Sequence, residues 1–316
     1  MNTKYFFIGV ISLFLLSSCT AQEKPLDLKN PFIGGVSGID VDFQNLRSEI
    51  YDGGRDPFEI NVKLQNKGEF DVAASKVHVK LSGFNPAALG KLDEQLSKTP
   101  SEDLSGMKKD AQGTLINSPI VTVDFTELNH ISPIVGATSE LIVRADVCYN
   151  YKTIGVSKLC VRSNILNPAE GGICQINENK PFFSSSGPIQ FENFIESTYG
   201  KDKLGFVFTI KKAGTGYVYE KDSGCDTTQR NKENRVYVKV DSKINGLSCT
   251  GLTSSGAIAQ GFVSLFDGAQ TITCKQTISS KNDFEQAISI EAVYDYDDLK
   301  QTTITVKNSG ENTNSS

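Results

Sequence analysis

The chain has 316 residues, a formal net charge of −5, seven cysteines and no tryptophan. The mild negative charge argues against nucleic-acid binding, which normally requires a basic surface. The length is sufficient for two domains, and no stretch beyond the N-terminal region is apolar for long enough to cross a membrane.

The first predicted element is a short apolar run that ends at a cysteine. Residues 5–16 form a run of 12 residues after Lys4, too short for a transmembrane helix but suited to a signal peptide. Residues 16–19 read Leu-Ser-Ser-Cys and resemble the lipobox of prokaryotic lipoproteins. The resemblance implies cleavage after residue 18 and a diacylglyceryl group on the sulfur of Cys19. The alternatives are an ordinary signal peptide or an uncleaved anchor that carries a cysteine by chance.

Strand patterns dominate the rest of the chain. Alternation of apolar and polar residues is typical of a half-buried strand, with one face toward the core and one toward water. Such runs occur at 39–43, 58–64, 77–81, 120–125, 141–151, 206–210, 236–240, 262–266, 271–278, 288–296 and 302–306. Many short strands separated by Gly, Asn, Asp and Ser favour an all-β sandwich or barrel.

One helix is predicted between the strands of the first half. Asn85 can accept hydrogen bonds from the first free N–H groups of a helix, and Pro86 suits its first position. Leu89, Leu92 and Leu96 follow at helical spacing, so one side of this short helix can pack on the domain.

Two parts of the chain show similar patterns in the same order. The matching segments are 64–72 with 210–218, the V-x-V-K-[LV] runs 77–81 with 236–240, and 145–151 with 292–296. The distance from the glycine to the first tyrosine is 81 residues in the first part, from 68 to 149, and 80 in the second, from 214 to 294. This self-similarity indicates two tandem copies of one β domain.

The two copies resemble the immunoglobulin-like modules of prokaryotic surface proteins, especially the CARDB type. The residues that carry the resemblance are 60–68, an alternating strand that ends in Asn-x-Gly before a turn and a second strand; the second copy lacks the asparagine. The arrangement also resembles uncharacterised archaeal surface lipoproteins with paired immunoglobulin-like domains. The resemblance implies an all-β fold of two tandem immunoglobulin-like β-sandwich domains, with the short helix inserted in the first.

Proline, glycine and serine interrupt the strand pattern around residues 164–188 and suggest the domain boundaries. We expect each domain to fold by itself. The predicted segments are a signal peptide (1–18), a tether (19–30), the first domain (31–166), a linker (167–187), the second domain (188–307) and a disordered tail (308–316).

With Cys19 lipidated, an even number of cysteines remains, which indicates disulfides in an exported chain. They are Cys148, Cys160, Cys174, Cys225, Cys249 and Cys274. Residues 149–159 look like a hairpin, so we expect Cys148 and Cys160 to form a cross-strand disulfide, with the last four cysteines paired in the second copy. A metal site is the alternative, but no C-x-x-C motif occurs and both histidines are far from every cysteine in sequence.

No sequence motif indicates catalysis. There is no G-x-S-x-G, H-E-x-x-H or phosphate-binding loop, and we expect His78 and His130 to be solvated or capping residues. The chain is therefore predicted not to be an enzyme and to need no cofactor. Ca²⁺ binding is the alternative, and it would rest on the carboxylates Asp40, Asp42, Asp295, Asp297 and Asp298. The tyrosines Tyr149, Tyr151, Tyr294 and Tyr296 are expected to line a sheet core; stacking on sugars is the alternative.

These patterns favour a non-enzymatic surface lipoprotein that acts as a protein-binding, adhesive or spacer module. It would be exported and anchored, through lipid on Cys19, on the outer side of the cytoplasmic membrane or on the cell surface. Its expected partners are the membrane and an unknown surface protein or glycan, not nucleic acid. The alternatives are a carbohydrate-binding lipoprotein, weakened by the absence of tryptophan, and an enzyme with an unrecognised site.

Overall fold

The fold is almost entirely β. The computed structural model describes residues 25–166 and 172–310, so the proposed signal peptide, Cys19 and the end of the tail lie outside the described residues. Within these ranges the only helical elements are short 3-10 turns. The all-β class predicted from the alternating sequence patterns is therefore confirmed.

The strands follow the alternating runs closely. Those of the first half are β1 (Ile39–Gln44), β2 (Glu49–Tyr51), β3 (Phe58–Asn66), β4 (Val77–Ser82), β5 (Ser97–Lys98), β6 (Lys108–Lys109), β7 (Leu115–Ile116), β8 (Ile120–Leu128) and β9 (Thr138–Val161). Those of the second half are β10 (Glu178–Asn179), β11 (Phe183–Ser184), β12 (Ile189–Thr198), β13 (Lys203–Lys212), β14 (Tyr217–Glu220), β15 (Arg235–Asp241), β16 (Leu247–Cys249), β17 (Thr253–Ser255), β18 (Ile258–Ser264), β19 (Ala269–Thr277) and β20 (Phe284–Lys307).

The predicted helix is wrong in its extent. The Asn85 side chain does cap the chain, because its Oδ1 accepts from Ala87 N at 3.1 Å. The 3-10 turn Pro86–Leu89 then stops at Gly90, whose φ of 66° is in the left-handed region that glycine adopts readily. A second turn, Asp93–Leu96, follows. Two short turns replace the continuous helix, and Leu92, between them, is 67% exposed.

The strands of the described residues form three main sheets and one short pair. The order is β1-β3-β8 in the first sheet and β10-β12-β13-β19-β16 in the second, while β6 pairs with β7. The largest sheet has ten strands, in the order β17-β18-β15-β20-β9-β4-β5, with β2, β11 and β14 added at its sides. One contiguous apolar core contains buried residues from both halves of the chain.

The centre of the large sheet is the pair of 24-residue strands β9 and β20, which run antiparallel in register over their whole length. The first half of β9 pairs with β4, but its last residue, Val161, packs in an apolar cluster with Leu204 and Ile278 of the second half. Conversely, the last residues of β20 pair with β2. Each long strand therefore begins in one half of the molecule and ends in the other.

This arrangement differs from the expectation of two domains connected only by a linker. The two segments share one sheet and one core. Within the expected linker, β10 pairs with β12, and β11 pairs with β9. The interruptions around residues 164–188 predicted a change of structure, but they could not show that the strands on either side cross between the halves. The domain boundaries themselves stay a prediction.

The two halves repeat the same tyrosine contacts. Tyr149 Oη accepts from Ile39 N at 3.1 Å at the start of β1, and Tyr294 Oη accepts from Ile189 N at 3.2 Å at the start of β12. Tyr151 and Tyr296 likewise accept from backbone N–H groups of the turns that follow β3 and β13. All four rings are buried, as expected for core residues, and the repeated contacts agree with the repeated sequence pattern.

The disulfides join Cys148 to Cys225, Cys160 to Cys174 and Cys249 to Cys274. The prediction of a Cys148–Cys160 bond is wrong, because residues 149–159 continue as straight strand and do not turn back as a hairpin. Only the third bond lies within the second copy, between β16 and β19. The first bond instead connects the two halves of the chain.

Candidate functional site

The candidate site lies on the outer face of the large sheet, at the middle of β9 and β20. Successive side chains of a strand point to opposite faces. Because Tyr149 and Tyr294 point into the core, their polar neighbours point away from it. We call this surface the junction face, and its long-strand residues are Arg144, Asp146, Cys148, Asn150, Asp295 and Asp297.

A loop from the second half crosses the junction face. This junction loop, residues 221–234, connects β14 to β15 and contains the 3-10 turn Arg230–Lys232. Its first attachment is covalent, the Cys148–Cys225 disulfide. The loop therefore lies against the sheet where the two halves of the chain meet.

Asp295 provides the second attachment of the junction loop. Its side chain accepts hydrogen bonds from Gly224 N at 2.8 Å, from Asp222 N at 3.1 Å and from Asn150 Nδ2 at 2.8 Å. Asp295 is only 3% exposed. Hydrogen bonds to an ionised carboxylate are stronger than those between neutral groups, so Asp295 fixes both the loop and the strand pair.

Two cavities flank the junction loop. The smaller, of about 180 Å³, is lined by Ser75, Lys76, His78, Cys148, Asn150, Asp222, Gly224 and Asp295. The larger, of about 320 Å³, is called here the Asp297 cleft. It is lined by Arg144, Asp146, Tyr217, Val218, Tyr219, Thr227, Glu233, Asn234, Asp297 and Leu299.

Negative charge predominates in the Asp297 cleft. Arg144 is already engaged, because its Nε lies 2.8 Å from Asp146 Oδ1 and also donates to Ser82 Oγ at 3.1 Å. Burial raises the pKa of Asp297 to about 6, and the neighbouring carboxylates Asp146 and Asp298 add to this effect. Arg144 opposes the rise in the pKa without cancelling it. The cleft therefore holds a carboxyl group whose charge is poorly compensated.

Two tyrosines of β14 complete the cleft. Tyr217 is 58% exposed at its mouth, with Lys212 Nζ 5.8 Å from the ring centroid. Tyr219 is 4% exposed, and its pKa is raised by burial and by the charges of Asp297 and Glu233. Within the described part of the chain, no hydrogen-bond partner is found for the Tyr219 hydroxyl, which thus remains available to a ligand.

The carboxylates considered for Ca²⁺ do not converge on one point. Asp40 pairs with Lys67 at 2.9 Å and Asp42 with Lys300 at 3.2 Å, while Asp295 binds the junction loop. Over residues 25–166 and 172–310, no group of three or more His, Cys, Asp or Glu side chains is arranged to hold a metal ion. The possible Ca²⁺ site thus gains no support from these positions.

Neither histidine faces a free thiol in the part of the chain that the structure describes, because all six cysteines there are in disulfide bonds. His78 lines the smaller cavity beside Cys148, which is in a disulfide bond. His130 is buried near residues 52–54, where its backbone oxygen accepts from Gly54 N at 2.9 Å. Within residues 25–166 and 172–310, neither histidine therefore forms a pair with a reactive cysteine.

The sequence patterns predicted only part of this site. Asp297 was noted as a carboxylate, but the contributions of Arg144, Asp146, Tyr219 and Glu233 were missed. A signal was present for the first two, because polar residues alternate with apolar ones from 144 to 150 and so mark an outward face. No local signal identified the junction loop, which begins 71 residues after Asn150 in the chain.

No protein-family model matches the chain, and a comparison with curated proteins also gives no match. Among the described residues, no helix is both long enough and apolar enough to span a membrane. Three disulfides indicate an oxidising, extracellular setting, since such bonds are rare in reducing compartments.

Proposed function

We propose that this chain is an exported surface lipoprotein, anchored through lipid on Cys19, that binds another surface protein through a pair of immunoglobulin-like β-sandwiches. The lipobox-like residues 16–19 motivate the anchor. The three disulfides support an extracellular location. The repeated tyrosine contacts of the two halves support two related β modules.

The observation that carries the proposal is the position of the tether relative to the long strands. Leu26 N donates to Glu285 Oε2 at 2.6 Å, and Lys158 Nζ donates to the Leu26 oxygen at 2.9 Å. Both partners lie where β9 ends and β20 begins. At about 3.3 Å per residue, the paired strands extend for roughly 80 Å from this point. A chain held at Cys19 would thus carry the junction face and the first half away from the membrane.

A rigid extended platform suits a binding or spacer module better than a catalyst. The strands that connect the halves are paired residue by residue, so the halves are not connected by a flexible linker alone. The Cys148–Cys225 disulfide adds a covalent connection between them. Such a structure holds a binding surface at a fixed orientation, which reduces the entropic cost of association.

The anchor is tested by comparing the wild-type chain with Cys19→Ala in membranes of a lipoprotein-producing host. We expect lipid-dependent added mass on residue 19 and membrane retention only for the wild type. Equal retention of both chains, without added mass, would disprove the anchor. Cross-linking on intact cells, followed by mass spectrometry, should recover a surface protein with the wild-type chain; recovery of none would contradict the binding role.

A second candidate function is carbohydrate binding. The exposed ring of Tyr217 at the mouth of the Asp297 cleft favours it, because aromatic faces stack on sugars and polar side chains surround the ring. A glycan array separates the candidates: selective glycan binding that is lost in Tyr217→Ala would favour this function over protein binding.

A further inference from the structure

We propose that the Asp297 cleft is a binding site for a basic side chain, arginine or lysine, of the partner protein. The inference rests on the proposed protein-binding function and adds the chemistry of recognition. The occupant is a cation carried on an alkyl stem, inserted between the junction loop and the large sheet.

Two carboxylates of the cleft lack a salt-bridge partner within the described residues. Asp297 and Glu233 line the cleft, and neither forms an ion pair with any residue that the structure describes. The nearby basic groups have partners of their own: Arg144 pairs with Asp146 at 2.8 Å within the cleft, Arg235 pairs with Glu220 at 2.6 Å, and Lys212 Nζ donates to Gly216 O at 2.8 Å. A partly buried carboxylate without a partner favours an incoming opposite charge.

The hydrogen-bonding groups of the cleft also favour a ligand that donates hydrogen bonds. Tyr219 is almost completely buried, and its hydroxyl lacks a partner among the described residues. The Tyr219 oxygen and the carboxylates of Asp297 and Glu233 are hydrogen-bond acceptors that line the same cavity. A guanidinium carries five N–H donors and an ammonium three, and neither group is an acceptor. The acceptors of the cleft therefore match a cationic group, which donates hydrogen bonds and accepts none.

The shape of the cleft suits the stem of a basic side chain. Its volume of about 320 Å³ exceeds the needs of a single water or small ion. Leu299, whose side chain is 45% exposed, provides apolar wall along which the methylene groups of Lys or Arg can pack. The exposed Tyr217 ring at the mouth is suited to a cation–π contact, as its contact with Lys212 Nζ at 5.8 Å from the ring centroid shows.

The wall that the junction loop gives to the cleft is fixed by bonds within the protein itself. The junction loop contributes Thr227, Glu233 and Asn234 to the lining, and this loop is fixed by the Cys148–Cys225 bond and by the Asp295 hydrogen bonds. A preorganised site loses less conformational entropy on binding.

The test uses the purified full chain and two neutral-ended probes, Nα-acetyl-arginine amide and its uncharged isostere Nα-acetyl-citrulline amide. Binding is followed by chemical-shift changes of the isotope-labelled protein. We expect the arginine probe to shift resonances of the cleft and to bind at least about tenfold more tightly than the citrulline probe. Its affinity should fall with added salt, as for any charge-dependent contact at a partly exposed site.

Two variants locate the binding. Asp297→Asn should lower the affinity for the arginine probe about tenfold while preserving the cross-peaks of the folded protein. Glu233→Gln removes one negative charge from the other side of the cleft and tests the same effect independently. The matched control is Asp267→Asn, on an exposed turn outside the cleft whose φ of 51° asparagine tolerates. The control should leave the affinity for the probe unchanged.

Equal binding of the arginine and citrulline probes, or unchanged affinity in both cleft variants, would overturn the proposal. Displacement of the arginine probe by a neutral oligosaccharide would also overturn it, in favour of a glycan site. If cross-linking recovers a surface protein but the arginine probe does not bind, the cleft assignment fails and the protein-binding function stands. If the probe binds but no partner is recovered, the assignment of the cleft as a site for a basic group stands and the protein-binding function fails.

Discussion

Asn150 lies directly opposite Asp295 at the centre of the two long strands, and its Nδ2 donates to Asp295 Oδ1 at 2.8 Å. The same carboxylate accepts two backbone N–H groups of the junction loop. One buried side chain thus connects three parts of the molecule: β9 from the first half, β20 from the second, and the loop that forms one wall of the Asp297 cleft.

Substitution of Asp295 should therefore destabilise the protein. Asp295→Ala leaves the N–H groups of Asp222 and Gly224 without acceptors, and an unsatisfied buried polar group costs about 1–3 kcal/mol. We expect the free energy of unfolding in urea to fall by about 3 kcal/mol, with faster proteolysis in the junction loop. Glu102→Ala, at an exposed position, is the control and should change little. Unchanged stability of Asp295→Ala would contradict the role assigned to this carboxylate.

The crossing strands predict the behaviour of separated halves. In segment 31–166, β9 would expose Leu159 and Val161, which are fully buried in the whole chain. In segment 172–308, β20 would likewise expose Ile304 and Val306. Since burial of one large apolar side chain contributes about 1.5–3 kcal/mol, neither segment should unfold cooperatively alone.

An equimolar mixture of the two segments should form a complex on size-exclusion chromatography and regain a cooperative thermal transition. A cooperative transition in either isolated segment would show that the halves are independent, as the sequence patterns had suggested. The full chain, measured in the same buffer, is the reference for both results.

The disulfides should differ in their contribution to stability. In the chain-entropy description, a loop closed over 77 residues, as in Cys148–Cys225, contributes about 4.5 kcal/mol, and one over 14 residues, as in Cys160–Cys174, about 3 kcal/mol. We expect the double serine variant of the first pair to lose more unfolding free energy than that of the second.

Peptide mapping without reduction checks the connectivity itself. It should recover the pairs Cys148–Cys225, Cys160–Cys174 and Cys249–Cys274. Recovery of a peptide that joins Cys148 to Cys160 would restore the hairpin interpretation and would exclude the continuous strand β9.

The raised pKa of Asp297 predicts a pH dependence of stability. Between its ordinary value of 3.8 and about 6, the folded state binds more protons than the unfolded state, so the free energy of unfolding falls as pH rises through this window. Burial raises the pKa of Asp297 most; the charges of Asp146 on β9 and Asp298 on β20 add to the rise, and Arg144 on β9 opposes it. Tyr217 and Tyr219 of β14 and Glu233 of the junction loop also face Asp297 in the cleft.

Asp297→Asn should remove this fall in the free energy of unfolding and so stabilise the protein at pH 7 by about 1 kcal/mol. The figure is lower than a fully buried group would give, because solvent reaches part of the carboxyl. Urea unfolding at pH 4, 5, 6 and 7 measures the effect, with Asp267→Asn as the control for the same charge change. A wild-type stability that falls no more steeply than that of Asp297→Asn over this range would show that this carboxyl titrates normally.

The sequence determined the local features of this protein. Alternation with a period of two identified most strands, including β1, β3 and β4, because a half-buried strand must separate apolar from polar side chains. The matched tyrosine motifs around 149 and 294 indicated a repeat, and the repeated hydroxyl contacts agree with it. Asn85 was identified as a cap because its interaction reaches only two residues along the chain.

Only the tertiary structure decided which strands pair and which distant residues meet. Alternation shows that the tyrosine at 149 points inward, but it contains no information about the partner strand, so β9 and β20 could not be recognised as one crossing pair. The bond between Cys148 and Cys225 and the cleft between Arg144 and Glu233 depend on that pairing. They form because the shared sheet brings the junction loop of the second half onto strands of both, a contact that no local sequence pattern specifies.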